Sequence, residues 1–201
     1  KKKYKYGIIL PLKESFLKKS SGAVSIFVNE YLNNSKLSRD TVIFTNKLNG
    51  EYLNKNVIGI DGQNTFFSNL NYIKKICKTN IFKNLDHVEI HNRPFYAEYI
   101  KKEYPKKKIS LFIHNTFYSK NSILNNNKKE YLLYNCDSIV FVSNFLRKQF
   151  FNNLNINDRN NVHVIYNSVS NIKKINTKKD NIIIFAGKLN KSKGFNIFVK
   201  V

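Results

Sequence analysis

Short apolar runs at residues 6–10, 41–45, 57–60, 87–90, 109–114, 139–142 and 162–166 alternate with stretches of helical period. That alternation constrains the fold more than any other feature. The runs are too short for helices, and most are too continuously apolar to face water on one side, so they read as strands covered on both faces. Between them, Ala23, Phe27 and Tyr31 recur at four-residue spacing, Leu70, Ile73, Cys77 and Ile81 share one helical face, and Phe145, Gln149 and Phe150 open a further helix. Glu98 precedes Lys102 by four residues, a pairing that supports a helix between them. Strands and helices in alternation predict an α/β fold, a Rossmann-like doubly wound parallel sheet that places ligands at the carboxyl ends of its strands.

Composition sets the bounds. A chain of 201 residues with 42% hydrophobic content buries one substantial core. No apolar run approaches the roughly 18 residues of a membrane span, and the few apolar residues after Lys1-Lys2-Lys3 are too short for a signal peptide. Cys77 and Cys136 form neither a disulfide framework nor a metal spacing, which fits a reducing compartment and a cytoplasmic location. The net charge of +22 admits an anionic partner, with peripheral contact to the anionic inner face of a membrane as one form of it. Only four of the 35 basic residues are Arg, so the bidentate readout of a specific nucleic-acid binder is not expected.

The rhythm breaks at the polar stretch 167–181, read as a linker. The expected organisation is a first domain at 1–170, a linker at 171–180 and the opening of a second domain at 181–201. There Ile182, Ile183, Ile184 and Phe185 read as a buried strand, and Gly187, Lys188, Lys193 and Gly194 follow it. A strand running into a cationic Gly-containing turn is where an α/β sheet holds phosphates. A chain without methionine that stops a few residues into a new element reads as part of a longer protein.

In the first domain, Ser20 or Ser21 can cap a helix starting near Ala23, and Gly22 would let an anion approach the positive helix end. The fourth strand runs into His91-Asn92-Arg93-Pro94 and the fifth into His114-Asn115. Two His-Asn pairs at the carboxyl ends of neighbouring strands point to substrate contact, while Glu89 reads as an alternating strand residue. The sequence contains no Asp-x-Asp and no paired-Cys spacing, so no metal site is expected and diphosphate charge falls to lysines and helix ends. P-loop and nucleophile-elbow motifs are missing as well.

Taken in order, Leu10-Pro11, Ser21-Gly22-Ala23, Ile90-His91-Asn92-Arg93-Pro94, Phe112-Ile113-His114, Cys136-Asp137-Ser138, Tyr166-Asn167-Ser168 and Phe185-Ala186-Gly187-Lys188-Leu189 resemble the retaining glycosyltransferases of family 4. That family has the GT-B fold of two Rossmann-like domains. The resemblance implies sugar transfer from a nucleotide-diphosphate-sugar, a co-substrate rather than a cofactor, to an acceptor hydroxyl on a glycan or lipid-linked acceptor, without a metal. By resemblance, His114 lies beside the reacting sugar, Gly22, Lys188 and Lys193 serve the donor diphosphate, and His91, Asn92 and Arg93 line the acceptor side. The family's usual Gly-Gly is here Ser21-Gly22, its Arg is Lys188, and its Asn-Gly is Asn167-Ser168. Its Glu-rich donor segment would lie beyond Val201, so this chain alone is not expected to complete a donor site. Two other readings stay open: a nucleotide-sugar epimerase of the same fold, for which Glu14 and Glu89 are the only candidate acid/base carboxylates, and a non-catalytic basic binding module.

Overall fold

The computed structural model describes residues 3–62, 68–116, 124–156, 159–168, 181–187, 189 and 191–200. The chain divides into two compact units, Lys1–Val169 and Ser170–Val201. The first is an α/β unit built on seven strands: β1 (Tyr6–Ile9), β2 (Thr41–Asn46), β3 (Val57–Ile60), β4 (His87–His91), β5 (Lys108–Ile113), β6 (Ser138–Phe141) and β7 (Val162–Val164). Every pairing is parallel, in the spatial order β3-β2-β1-β4-β5-β6-β7. The sheet is Rossmann-like and doubly wound. Its order reverses between β1 and β4, so the crevice at that switch point lies between the loops that follow these two strands.

Helix α1 (Ala23–Asn33) packs against one face, where Val24, Val28 and Leu32 meet Ile8, Leu10 and Ile43. Helices α2 (Ser68–Lys78), α3 (Asn80–Lys83), α4 (Pro94–Glu103), α5 (Asn126–Asn135) and α6 (Asn144–Phe151) cover the other. There Ile73, Ile76, Tyr96, Ile100, Leu133 and Phe150 close over Val42, Phe44, Val88, Ile90, Leu111 and Ile139. Side chains of this size contribute about 1.5–3 kcal/mol each on full burial. The strands β1, β2, β5 and β6 therefore read as near-continuous apolar runs because both their faces are covered, while the edge strands β3 and β7 are only partly buried.

Two helical expectations shift in register. The apolar face of Leu70, Ile73, Cys77 and Ile81 spans two helices, because the Thr79 hydroxyl accepts from Phe82 N–H and starts α3 afresh. In α6 the buried pair is Leu146 and Phe150, and Phe145 stands 62% exposed. The Glu98–Lys102 pair forms within α4 at 3.0 Å. Both cysteines are free and buried, and burial pushes each thiol up to about 12.

In the second unit, residues 181–186 lie outside any helix or strand, and Ile183 is 78% exposed. The expected strand at 182–185 is not formed. An isolated strand has no ladder to satisfy its backbone and no sheet to cover its side chains. Its Phe185 instead packs on Phe195 and Phe198 of α7 (Phe195–Phe198). The expected linker at 171–180 lies outside the described residues.

Candidate functional site

Strand alternation assembles the site. Glu89 and His91 project from one face of β4, and Phe112 and His114 from the matching face of β5 and its end, the face turned toward α1. Phe27 and Tyr31, one turn apart on α1, meet them there.

His91 is wholly buried, at 0% exposure. Its Nε2 lies 2.6 Å from Glu89 Oε1 and its Nδ1 lies 2.8 Å from His114 Nε2. The Tyr31 hydroxyl donates to the same Glu89 oxygen. Burial, then the charge of Glu89 beside it, holds the Tyr31 phenol well above its ordinary pKa, so it remains a donor. The result is a continuous chain Tyr31–Glu89–His91–His114 running from α1 across β4 to the end of β5. Aromatic rings fix it from the sides: Phe112 stacks on His91 at 5.0 Å, and Phe27 meets His114 edge-on at 5.1 Å.

Burial, the largest cause, lowers the pKa of His114 from 6.5 to about 3. The ring is neutral near physiological pH. A group this weakly basic is a poor general base at neutrality, and its chemistry is that of a fixed, uncharged hydrogen-bonding ring.

The backbone of His114 is held independently. Its N–H donates to Asn92 Oδ1 at 2.7 Å, and the Asn92 N–H donates to the Phe112 carbonyl at 2.8 Å. Asn92 sits at φ 52°, the left-handed region that Asn tolerates better than most residues. The Arg93 guanidinium donates to the Asn92 carbonyl at 2.8 Å.

The structure thus brings His91, Asn92, Arg93 and His114 together, with changed parts. His91 was expected to line the acceptor side, yet it has no surface to offer and serves as the buried link between Glu89 and His114. Asn92 is also buried and spends its side chain on the His114 backbone. Arg93 remains half-buried and His114 half-buried, so of the four these two keep surface for a ligand.

Gly22 caps α1 without a side-chain bond from Ser20 or Ser21. Ser20 instead bonds to the Ser15 hydroxyl at 2.9 Å. The orphan N–H of Ser25 in the first turn donates to Glu14 Oε1 at 3.1 Å, and a Cβ at position 22 would lie 2.2 Å from that oxygen. A side chain at position 22 would push aside the chain's own carboxylate, which occupies the helix end where a donor phosphate was expected. Lys188 lies outside the described residues. Lys193 is exposed, ending the 3-10 turn Lys191–Lys193 of the second unit.

On the opposite face of the sheet, a cavity of about 540 Å³ opens at the same carboxyl edge. Asn115, Asn125, Asn126 and Gln149 supply amides to its wall, with Leu146 and Phe150 among its apolar lining. Sequence reasoning missed Tyr31 as a polar partner and Glu89 as a link. Their signals were present: Phe27 and Tyr31 at helical spacing, Glu89 and His91 at strand spacing. Among the described residues no group of three or more His, Cys, Asp or Glu side chains is placed to hold a metal ion, and no helix is long and apolar enough to cross a membrane. Comparison of the sequence with models of protein families and with curated proteins finds no match.

Proposed function

We propose that this protein is a retaining glycosyltransferase that moves a sugar from a nucleotide-diphosphate-sugar to an acceptor hydroxyl in cell-surface glycan or glycolipid synthesis. The observation that carries the reading is His114: a neutral imidazole locked by a buried hydrogen-bond chain at the carboxyl edge of a Rossmann-like sheet, two strands from the switch point. An uncharged ring suits contact with sugar hydroxyls, whereas an acid/base enzyme needs a group that titrates near the working pH. The amide-walled cavity on the other face has the chemistry of a glycan acceptor seat. Donor phosphate contacts from Lys188 and Lys193 belong to the same proposal.

The epimerase reading loses support from the same geometry. Glu14 is engaged by the Ser25 N–H, and Glu89 by Tyr31 and His91, so neither carboxylate is poised for proton abstraction. The basic binding module is separated by salt: its binding should fall steeply with ionic strength whatever the sugar.

The direct experiment incubates the protein, as its own cells make it, with a panel of nucleotide-diphosphate-sugars and hydroxyl acceptors. The product is read by mass and by the anomeric configuration of the new bond. Transfer with retained configuration is expected. Inversion, epimerised donor, or anion binding without transfer would each replace this reading with another.

A further inference from the structure

The sequence read Glu89 as an alternating strand residue, and its position gives it a further job. Its carboxylate can only accept hydrogen bonds, so the His91 Nε2 at 2.6 Å must carry a proton. His91 has 0% exposure among aromatic rings, and the Tyr31 hydroxyl already gives the Glu89 carboxylate a second donor. With His91 neutral, its Nδ1 is a bare lone pair, and the His114 Nε2 that faces it at 2.8 Å must be the donor. A neutral His114 has one N–H to give. Its Nδ1 is then unprotonated, and no bond to Nδ1 from another described residue accompanies the one at Nε2.

We infer that Glu89 is a positioning residue: acting through His91, it fixes His114 as the Nε2–H tautomer, so that the ring presents a lone pair at Nδ1 and takes a hydroxyl that donates a hydrogen bond rather than a phosphate or carboxylate. The tautomer stands on these two contacts with His91 carrying the one proton that Glu89 accepts. That the hydroxyl belongs to a sugar rests on the function proposed above. The groups facing the pair are Phe27 and Tyr31 from α1, Glu89 from β4 and Phe112 from β5.

The test reads the imidazole ¹⁵N resonances of the full chain near neutral pH, without substrate, and assigns His114 by the signals that vanish in His114→Ala. The parent should show protonated Nε2 and bare Nδ1. Glu89→Gln keeps an acceptor oxygen and should keep the tautomer. Glu89→Leu removes it and should mix or reverse the two forms. Where that variant does not fold, His91→Phe withdraws the acceptor from His114 Nε2 directly, with the same expectation. A parent with protonated Nδ1, a doubly protonated His91, or an unchanged His114 spectrum in Glu89→Leu or His91→Phe would overturn the assignment. Added sulfate, an anion with no proton to donate, should leave Nδ1 unmoved, and a saturable shift would overturn the hydroxyl preference. Because no substrate is present, the tautomer stands or falls apart from glycosyl transfer.

Discussion

At the scale of single residues, the site is made by groups that constrain one another more than they touch solvent. Gly22 and Glu14 show this most simply: the carboxylate caps α1, and the absent side chain makes room for it. Gly22→Ala and Glu14→Ala are each expected to cost about 1 kcal/mol, because the added methyl pushes the capping carboxylate aside and so loses the same cap. In the double variant most of the glycine penalty should vanish, because its cause has gone. Additive losses in thermal or urea unfolding would show that the two residues do not oppose each other. His114 supplies a second expectation, in pH. Its unfolded imidazole takes up a proton near pH 6.5, but the folded ring does so only near about 3. The unfolded state therefore binds more protons between those values. The stability contributed by the neutral ring is complete above pH 6.5 and is lost as pH falls toward 3. His114→Gln should flatten that acid loss in unfolding curves, leaving the smaller part due to His87, which burial also lowers. An unchanged profile would mean that His114 titrates normally.

At the scale of elements, the strands were legible and several helices were not, for physical reasons. A strand buried on both faces leaves a continuous apolar run, and all seven runs read between residues 6 and 166 became strands, including the partly buried edge strands β3 and β7. Helix α5 buries only Leu132 and Leu133 from the sequence Asn-Asn-Lys-Lys-Glu-Tyr-Leu-Leu-Tyr-Asn, too little for a periodic stripe. The break between α2 and α3 was written in a single Thr79 hydroxyl, invisible to a pattern of apolar spacing. In the site, His91 and His114 were legible as residues at strand ends, but the burial of His91 was not, since it depends on which face of the sheet α1 covers. The apolar segment at 182–185 misled because its composition matches a strand while a strand also needs partners. Connections between elements carry their own charge pattern. Asp137, between α5 and β6, accepts from the Ile109 N–H at 2.8 Å and from Lys101 at 3.2 Å. Burial pushes its carboxyl up, and these two donors outweigh that and leave it below the usual range. Its folded pKa is depressed, so its stabilisation is present above about pH 4 and disappears as pH falls further. Asp137→Asn should be less stable than the parent at neutral pH, with the gap closing in acid. A gap that is constant with pH would assign the loss to packing.

At the scale of the whole molecule, one seven-stranded parallel sheet serves as a platform, and the residues that carry the proposed chemistry sit at its carboxyl edge. The Tyr31–Glu89–His91–His114 chain stands on the α1 face and the amide-walled cavity on the other, so a donor sugar and an acceptor could approach the same edge from two sides. With no Asp-x-Asp in the sequence and Lys188 and Lys193 proposed to hold the leaving diphosphate, transfer is expected to proceed in EDTA. An absolute requirement for Mn²⁺ or Mg²⁺ in initial rates would contradict that part of the mechanism. The central claim is that His114 touches the reacting sugar as a fixed neutral ring, and the kinetics of His114→Ala measure it most directly. With a substrate pair established, turnover should fall by about a hundredfold or more, the scale of a lost transition-state hydrogen bond, while stability falls by no more than the about 1–3 kcal/mol that leaving His91 without its partner accounts for. Turnover within about twofold of the parent would show that His114 only supports the fold, and the assignment of this sheet edge as a glycosyl-transfer site would fall with it.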